Sequence, residues 1–312
     1  MPRKKNKKMK IKPYIRGIRL ERWPRSLAIF AGTIAYFFLF PNALELTSFS
    51  HFIKISLLAF ALTWGISTAN YIVNEIVDAP FDIHHPTKRH RPYVKGEIHP
   101  LLFLFLHVIL TVGCLLTAYY LFSWAFFLSL LLLLLAGFIY NIKPIRTKDV
   151  PFLDSVSESA NNPIRFLIGW YAFAPSSKWP PLTLLMAWWA FGNFLMIAKR
   201  LSEFRFLKDK ASLYRASLKK YTKTNLLAGM ISSVGLFYLF YIIFALQYQL
   251  ESFLALGVIL LIFIGVIFRK TLQEKEVMEE PERLVKDKRF LFLLLIILIG
   301  FIFAVLLDQV GS

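Results

Sequence analysis

Between Asn74 and Gly96 the sequence reads NEIVDAPFDIHHPTKRHRPYVKG, a cluster of carboxylates, histidines and cations at the end of an apolar run. Asn74, Asp78 and Asp82 recur at i, i+4 and i+8, so a helix carries all three on one face. Hard oxygen ligands in a row suit a magnesium ion that also binds phosphate oxygens. Lys88, Arg89, Arg91 and Lys95 follow at once, and these residue types neutralise phosphates and fork onto them. The stretch predicts a metal–diphosphate site at a membrane boundary, where ionisable groups are costly and point to function. A charged loop that merely stops a transmembrane helix is the plainer alternative. It accounts for the cations, but not for oxygen donors at helical spacing. Pro80 cannot donate a hydrogen bond to the carbonyl of Ile76, so the helix is expected to kink or end near it.

A second stretch, YNIKPIRTKDVPFLDSVSESANNPIRF from Tyr140 to Phe166, repeats the theme. Asp154 and Glu158 stand at i and i+4, with Arg146 and Lys148 just upstream. Ser155, Ser157, Ser159, Asn161, Asn162 and Arg165 then enter an apolar span. So polar a helix is tolerated in a membrane where it lines a cavity or turns its polar side inward. One shared site between the two stretches is the functional reading; an interhelical hydrogen-bond network is the structural one. A third charged segment opens with Lys199, Arg200, Glu203 and Arg205. These four fit either a substrate contact or a salt-bridged scaffold, and residues 208–223 read as a salt-bridged surface helix.

The rest of the chain must hold these groups at a bilayer surface. Of 312 residues, 57% are hydrophobic and the mean hydropathy is +0.55, which excludes a soluble domain with one core. Nine apolar spans are predicted, at 26–43, 52–73, 100–121, 123–140, 154–174, 181–198, 225–246, 252–268 and 290–308, most near the roughly 20 residues that cross a bilayer. Nearly all of the 37 Lys and Arg fall in five segments that nine spans place on one side; Lys54 and Lys178 alone fall on the other, and Arg165 lies within a span. The excess of positive charge then puts the N-terminus and these loops in the cytoplasm and the C-terminus outside, in a multi-pass protein of the cell membrane. The net charge of +18 is spread over juxtamembrane loops, so anionic lipid explains it and nucleic acid is not an expected partner. The single cysteine, Cys114, permits no intrachain disulfide, and the first apolar segment lacks a small-residue cleavage site.

Residues 1–25 are expected to form a basic cytoplasmic tail and an interfacial helix, with Ile15, Ile18 and Trp23 toward lipid. Arg22 and Arg25 face either that interface or an anionic headgroup. Residues 26–308 form a single transmembrane domain. His107 reads as a packed or interhelically bonded histidine, and the acidic run from Glu274 to Glu282 as a solvated connector.

Taken together, these stretches resemble the UbiA superfamily of intramembrane prenyltransferases. NEIVDAPFD looks like its first aspartate-rich motif, Asn-Asp-x-x-Asp-x-x-x-Asp, with Glu75 in place of an aspartate. DSVSE (154–158) stands where its second motif is found, with Glu158 in place of an aspartate. HPTKRHRP (85–92), VPFLD (150–154) and KRLSEFR (199–205) are similar to hallmarks of the decaprenyl-phosphate phosphoribosyltransferase branch. RLERWPR (19–25) is similar to that branch's Arg-Pro-x-Gln-Trp-x-Lys stretch, from which Leu20, Arg22 and Arg25 depart. Asn162-Pro163 and the serine-rich fifth span also depart from the branch. The likeness runs from about residue 19 to 225.

The resemblance implies an all-α, nine-helix bundle around a cytoplasm-facing polar cavity. It implies Mg2+ held by Asn74, Asp78, Asp82, Asp154 and Glu158, with Asp78, Asp82 and Asp154 as the catalytic carboxylates. Lys88, Arg89, Arg91, Arg146, Lys148, Arg165, Lys199, Arg200 and Tyr140 are the substrate-binding candidates. The implied reaction moves 5-phosphoribose from phosphoribosyl diphosphate to a polyprenyl phosphate, releasing diphosphate. The alternatives are a transferase using a prenyl diphosphate donor and an aromatic acceptor, and a non-enzymatic lipid carrier. Against the carrier stands the far side, which bears almost no charge. Homo-oligomerisation is left open.

Overall fold

The computed structural model describes residues 11–207, 215–273 and 288–310, and every regular element within them is helical. The long apolar runs dictate this, because a helix satisfies its backbone N–H and C=O groups within one segment, as hydrocarbon requires. In chain order the helices are α1 (Ile11–Gly17), α2 (Ile29–Leu39), α3 (Pro41–Glu45), α4 (Phe49–Asp82), α5 (Pro100–Leu121), α6 (Trp124–Asn141), α7 (Leu153–Ser159), α8 (Asn161–Tyr171), α9 (Leu182–Leu207), α10 (Lys223–Gln247), α11 (Glu251–Gln273) and α12 (Lys288–Val310). Single 3₁₀ segments lie at Leu20–Ala28, Lys88–His90, Thr147–Asp149 and Ala216–Lys220. The tail at 1–10, residues 208–214 of the expected surface helix and the acidic run 274–282 lie outside the described residues.

Seven helices, α4, α5, α6, α9, α10, α11 and α12, are long and apolar enough to cross a bilayer, and the protein is a multi-pass membrane protein. The sequence predicts nine such spans. The difference falls at 26–43 and 154–174, each assembled from two shorter pieces. In the first, the 3₁₀ segment that contains Pro24 runs into α2, which ends before Pro41. In the second, α7 and α8 meet at Ala160. There Ser155 and Ser159 hydroxyls donate to the carbonyls of Phe152 and Val156, and the Asn161 amide donates to Glu158 O. Such local bonds compete with a continuous helical ladder.

Helix α4 positions the first polar stretch. Its 34 residues make it about 51 Å long, well beyond a hydrocarbon core of about 30 Å, so one end must project past the apolar layer. Ser48 caps the far end by accepting from His51 N, and the helix stops at Asp82, two residues beyond Pro80. His107 bonds the Ala69 carbonyl across to α4 at 3.0 Å.

The apolar interior has two main parts. One joins α2, α4, α6 and α8 around Ile66, Phe126, Leu130, Ile168 and Trp170. The other joins α9 to α12 around Phe194, Leu201, Met230, Phe244 and Phe263. α2 lies along α8, with Thr33 Oγ1 donating to Gly169 O at 3.0 Å, and α9 lies along α10. The expected interfacial helix is interrupted: α1 ends at Gly17 and Arg19 takes a left-handed φ of 52°. Ile15 and Trp23 remain exposed. Ile18 instead packs inward with Ile72, Ile98 and Phe103, as does Tyr14 one turn before it, so this side of the turn faces α4 and α5 while Ile15 stays outward.

Candidate active site

Between the two apolar parts lies a polar cavity of about 700 Å³. Helix α4 gives it Ser67, Asn70, Tyr71, Asn74, Glu75 and Asp78, residues spaced so that one helical face supplies them all. Tyr140 and Asn141 at the end of α6, and Glu158, Asn161, Asn162 and Arg165 from α7 and α8, form the facing walls. Lys199 and Glu203 of α9 complete them, and Arg16, Arg19, Arg22 and Arg25 edge the N-terminal side. Nine lining cations (the four arginines of that edge, Lys88, Arg91, Arg165, Lys199 and Arg215) face five carboxylates (Glu21, Glu75, Asp78, Glu158 and Glu203). This surplus of four positive charges suits a polyanionic ligand.

The first stretch divides within itself. Asn74 donates to Asp78 Oδ2 at 2.9 Å and to Asn141 Oδ1 at 2.7 Å. Asp78 is also paired to Lys148 Nζ and, at 3.3 Å, to Arg146 Nη2. The same Lys148 Nζ donates to Asn141 Oδ1 at 2.8 Å. Burial pushes the Lys148 ammonium down to about 8, against the opposing pull of Asp78. Asp82 is buried behind Arg91, which ion-pairs with it and reaches Glu75 at 3.5 Å. Glu75 also accepts from Arg19 Nε at 2.6 Å. Lys88 lines the cavity. Arg89 is exposed and donates to His90 Nε2 at 3.2 Å.

The second stretch divides too. Glu158 lines the cavity, held by Lys199 at 2.9 Å and by the Tyr140 hydroxyl at 2.8 Å. Asp154 is fully buried and lies outside the lining. Arg200, itself fully buried, ion-pairs with Asp154 at 2.7 Å, with Glu203 at 2.7 Å and with Glu158. Ser217 and Tyr221 also donate hydroxyl hydrogen bonds to Asp154. Burial, then the nearby Asp154 carboxylate, pushes the Tyr221 phenol upward. Thus the described part of 208–223 turns inward instead of forming a surface helix: Ser217 and Tyr221 are buried, and Arg215 reaches both the cavity and the Tyr140 hydroxyl.

Of the five expected metal donors, Asn74, Asp78 and Glu158 line the cavity, while Asp82 and Asp154 lie behind its wall, each drawn there by an arginine. Of the expected substrate cations, Lys88, Arg91, Arg165 and Lys199 line it, as does Tyr140; Arg146, Lys148 and Arg200 stand behind carboxylates that do, and Arg89 points away. Among the described residues no group of three or more His, Cys, Asp or Glu side chains could hold a metal alone. The donor set nevertheless fits magnesium, which takes one or two carboxylates and completes its shell with water and phosphate oxygens. Sequence reasoning missed Ser67 and Asn70 as lining residues, although both continue the Asn74 face by one and two turns. It also missed Arg215, which carried no signal.

The chain's likeness to known proteins agrees with this geometry. The UbiA prenyltransferase family matches residues 30–296. Decaprenyl-phosphate phosphoribosyltransferase of Mycobacterium tuberculosis is 27% identical over 215 residues, covering 68% of this chain and 67% of that protein. The protein of the same description from Mycolicibacterium smegmatis is 25% identical, covering 68% of this chain and 63% of its own length. Among solved structures, a UbiA homolog from Archaeoglobus fulgidus bound to GPP and Mg2+ aligns over 93% of this chain and 98% of its own, with a TM-score of 0.62 at 20% identity. A structure of digeranylgeranylglyceryl phosphate synthase aligns over 97% of this chain and 99% of its own, with a TM-score of 0.61 at 17% identity.

Proposed function

The chain belongs to the UbiA prenyltransferase family and is a membrane transferase, and on that premise we propose that it moves 5-phosphoribose from phosphoribosyl diphosphate to a polyprenyl phosphate. The observation that carries this reading is the surplus of cations on the cavity wall. Phosphoribosyl diphosphate and a lipid phosphate together bring a diphosphate and two phosphomonoesters; a prenyl donor brings one diphosphate and a hydrocarbon chain. The phosphoribosyltransferases among the relatives support the same choice.

In the proposed reaction an oxygen of the lipid phosphate forms a bond to the anomeric carbon as the bond from that carbon to diphosphate breaks, and the electron pair leaves with diphosphate. A phosphomonoester is already anionic near neutral pH, so no strong base is required. Positive charge developing at the anomeric carbon is stabilised by nearby fixed carboxylates, and the phosphates by fixed cations. Asn74, Asp78 and Glu158 would hold Mg2+, which would supply positive charge to the diphosphate. Lys148 and Arg146 orient Asp78, while Lys199 and Tyr140 orient Glu158. Asp82 fixes Arg91 at the cavity edge, and Asp154 fixes Arg200 behind the wall and Arg215 on it. The positive charge of the loops on the cavity side supports a cytoplasmic cavity, with the N-terminus inside and the C-terminus outside the cell membrane.

A second reading keeps the same metal–diphosphate chemistry but uses a prenyl diphosphate and an aromatic acceptor. It is favoured by the A. fulgidus homologs of similar fold, bound to GPP and to DMAPP with Mg2+. Binding to the purified protein separates the two. Saturable, Mg2+-dependent binding of phosphoribosyl diphosphate is expected; no such binding, with saturable binding of a prenyl diphosphate, would overturn the proposal.

A further inference from the structure

Below the carboxylates the cavity keeps polar groups beside the apolar Leu195 and Met196 of α9. Asn70 and Ser67 lie one and two turns deeper on α4 than Asn74, and Asn162 and Arg165 of α8 meet them there. Arg165 differs from the other cavity cations whose partners are described above. Arg19 and Arg91 are paired to Glu75, Lys199 to Glu158, and Arg215 to Asp154. Arg165 has no ion pair among the described residues; its one hydrogen bond is from Nη2 to Ser67 Oγ at 3.4 Å, and its buried Nε has no partner. A half-buried charge at this depth without a counter-ion is costly, so a ligand anion is the partner that would complete it. An unpaired acceptor accompanies it, the buried Asn70 Oδ1.

Two glycines make room for the amides of this floor, and Asn70 Nδ2 donates to Leu133 O at 2.9 Å. A Cβ on Gly137 would lie 2.3 Å from the Asn70 amide, and one on Gly192 would lie 1.9 Å from Asn162 Nδ2. The floor therefore offers a guanidinium for an anion, with fixed amides beside it for hydroxyl groups. Its level on α4, Ser67, is about 10 Å from that of Asn74, a separation that the long Arg165 side chain shortens.

We infer that the cavity floor is a second anion subsite, centred on Arg165 with Ser67, Asn70 and Asn162, that receives the 5-phosphate and ribose of the donor. This rests on the phosphoribosyl reading. The chemistry recognised is a phosphomonoester, which the lipid acceptor also carries. The donor is favoured because Ser67, Asn70 and Asn162 line the cavity with Arg165 and suit ribose hydroxyls.

The test uses purified full-length protein in lipid nanodiscs with Mg2+ and three probes: phosphoribosyl diphosphate, ribose 5-phosphate and inorganic diphosphate. Arg165→Met should weaken the first two about ten- to a hundredfold, the usual loss for a charge-assisted contact, and inorganic diphosphate less than about threefold. Arg165→Lys should restore part of the loss. If Arg165→Met does not fold, Asn70→Leu is read instead, with the same ordering of the probes expected. Equal weakening of all three probes, or of none, overturns the subsite. A raised KM for polyprenyl phosphate with unchanged donor binding also overturns the assignment and gives Arg165 to the acceptor. Wild-type protein that binds neither ribose probe but binds a prenyl diphosphate defeats the functional proposal itself; wild-type binding of phosphoribosyl diphosphate with Arg165→Met unaffected defeats only this inference.

Discussion

The stretches at 74–82 and 154–158 look alike in sequence, each with oxygen donors at i and i+4 and cations nearby, yet the structure uses them differently. In the first, Asn74 and Asp78 face the cavity, and the cations that hold Asp78 come from one loop, at Arg146 and Lys148. In the second, only Glu158 faces the cavity, while Asp154 is locked against Arg200, Ser217 and Tyr221. Helical spacing fixes which side chains share a face; the partners arriving from elsewhere decide which side of the cavity wall they serve. On the proposed function the first region exchanges partners with a ligand, whereas Asp154 of the second ties α7 to α9 through Arg200.

That contrast can be broken from the structural side first. Arg200 sits fully buried between Asp154, Glu158 and Glu203, so Arg200→Leu strands buried carboxylates. A loss of about 3–5 kcal/mol is expected, read as a large fall in thermal stability in detergent; a variant as stable as wild type would deny the network its structural role. Asp78→Asn should do the reverse. It removes a preorganised charge from the cavity wall at nearly constant volume, and turnover should fall about a hundred- to a thousandfold, with a smaller loss of stability than Arg200→Leu because Arg146 keeps Asp149 and the Asn oxygen still accepts from Lys148. Retained turnover at limiting Mg2+ would remove Asp78 from the metal site.

Asp154→Asn sharpens the comparison. As a positioning residue it should cost about 1.5–3 kcal/mol of stability through lost charge-assisted bonds, with turnover reduced less than about tenfold and the Mg2+ concentration for half-maximal activity unchanged. A shift of that Mg2+ midpoint by an order of magnitude would make Asp154 a ligand after all, as its place in the second motif implies. The smallest effect belongs to Arg89→Ala. Arg89 is exposed and turned to His90, so donor affinity should change less than twofold, whereas a tenfold loss would show that its loop closes over the ligand.

The same contrast separates what was legible in the sequence from what was not. Asn74 and Asp78 could be read because a helix of known period carries them and nothing distant overrides it. The polar face of α4 could have been read further, since Asn70 and Ser67 continue it. The fate of Asp154 could not: Arg200 and Tyr221 lie 46 and 67 residues further along the chain, and no local period brings them together. Hydropathy located the membrane segments, but not the breaks at Phe40 and Ala160, which depend on Pro41 and on serine and asparagine side chains bonding their own backbone. Ile18 faces inward for a comparable reason, since Ile72 and Phe103, against which it and Tyr14 pack, lie far along the chain.

The central claim, a sugar-phosphate donor in a cavity of this family, is tested most directly by product formation. Reconstituted vesicles containing the protein, Mg2+ and polyprenyl phosphate would receive phosphoribosyl diphosphate labelled in the ribose, with unlabelled prenyl diphosphate present as competitor. The account predicts label in the lipid fraction as a phosphoribosylated polyprenyl phosphate, with stoichiometric release of diphosphate and loss of both signals in Asp78→Asn. An unlabelled lipid fraction, with the prenyl diphosphate consumed when an aromatic acceptor is supplied, would contradict it.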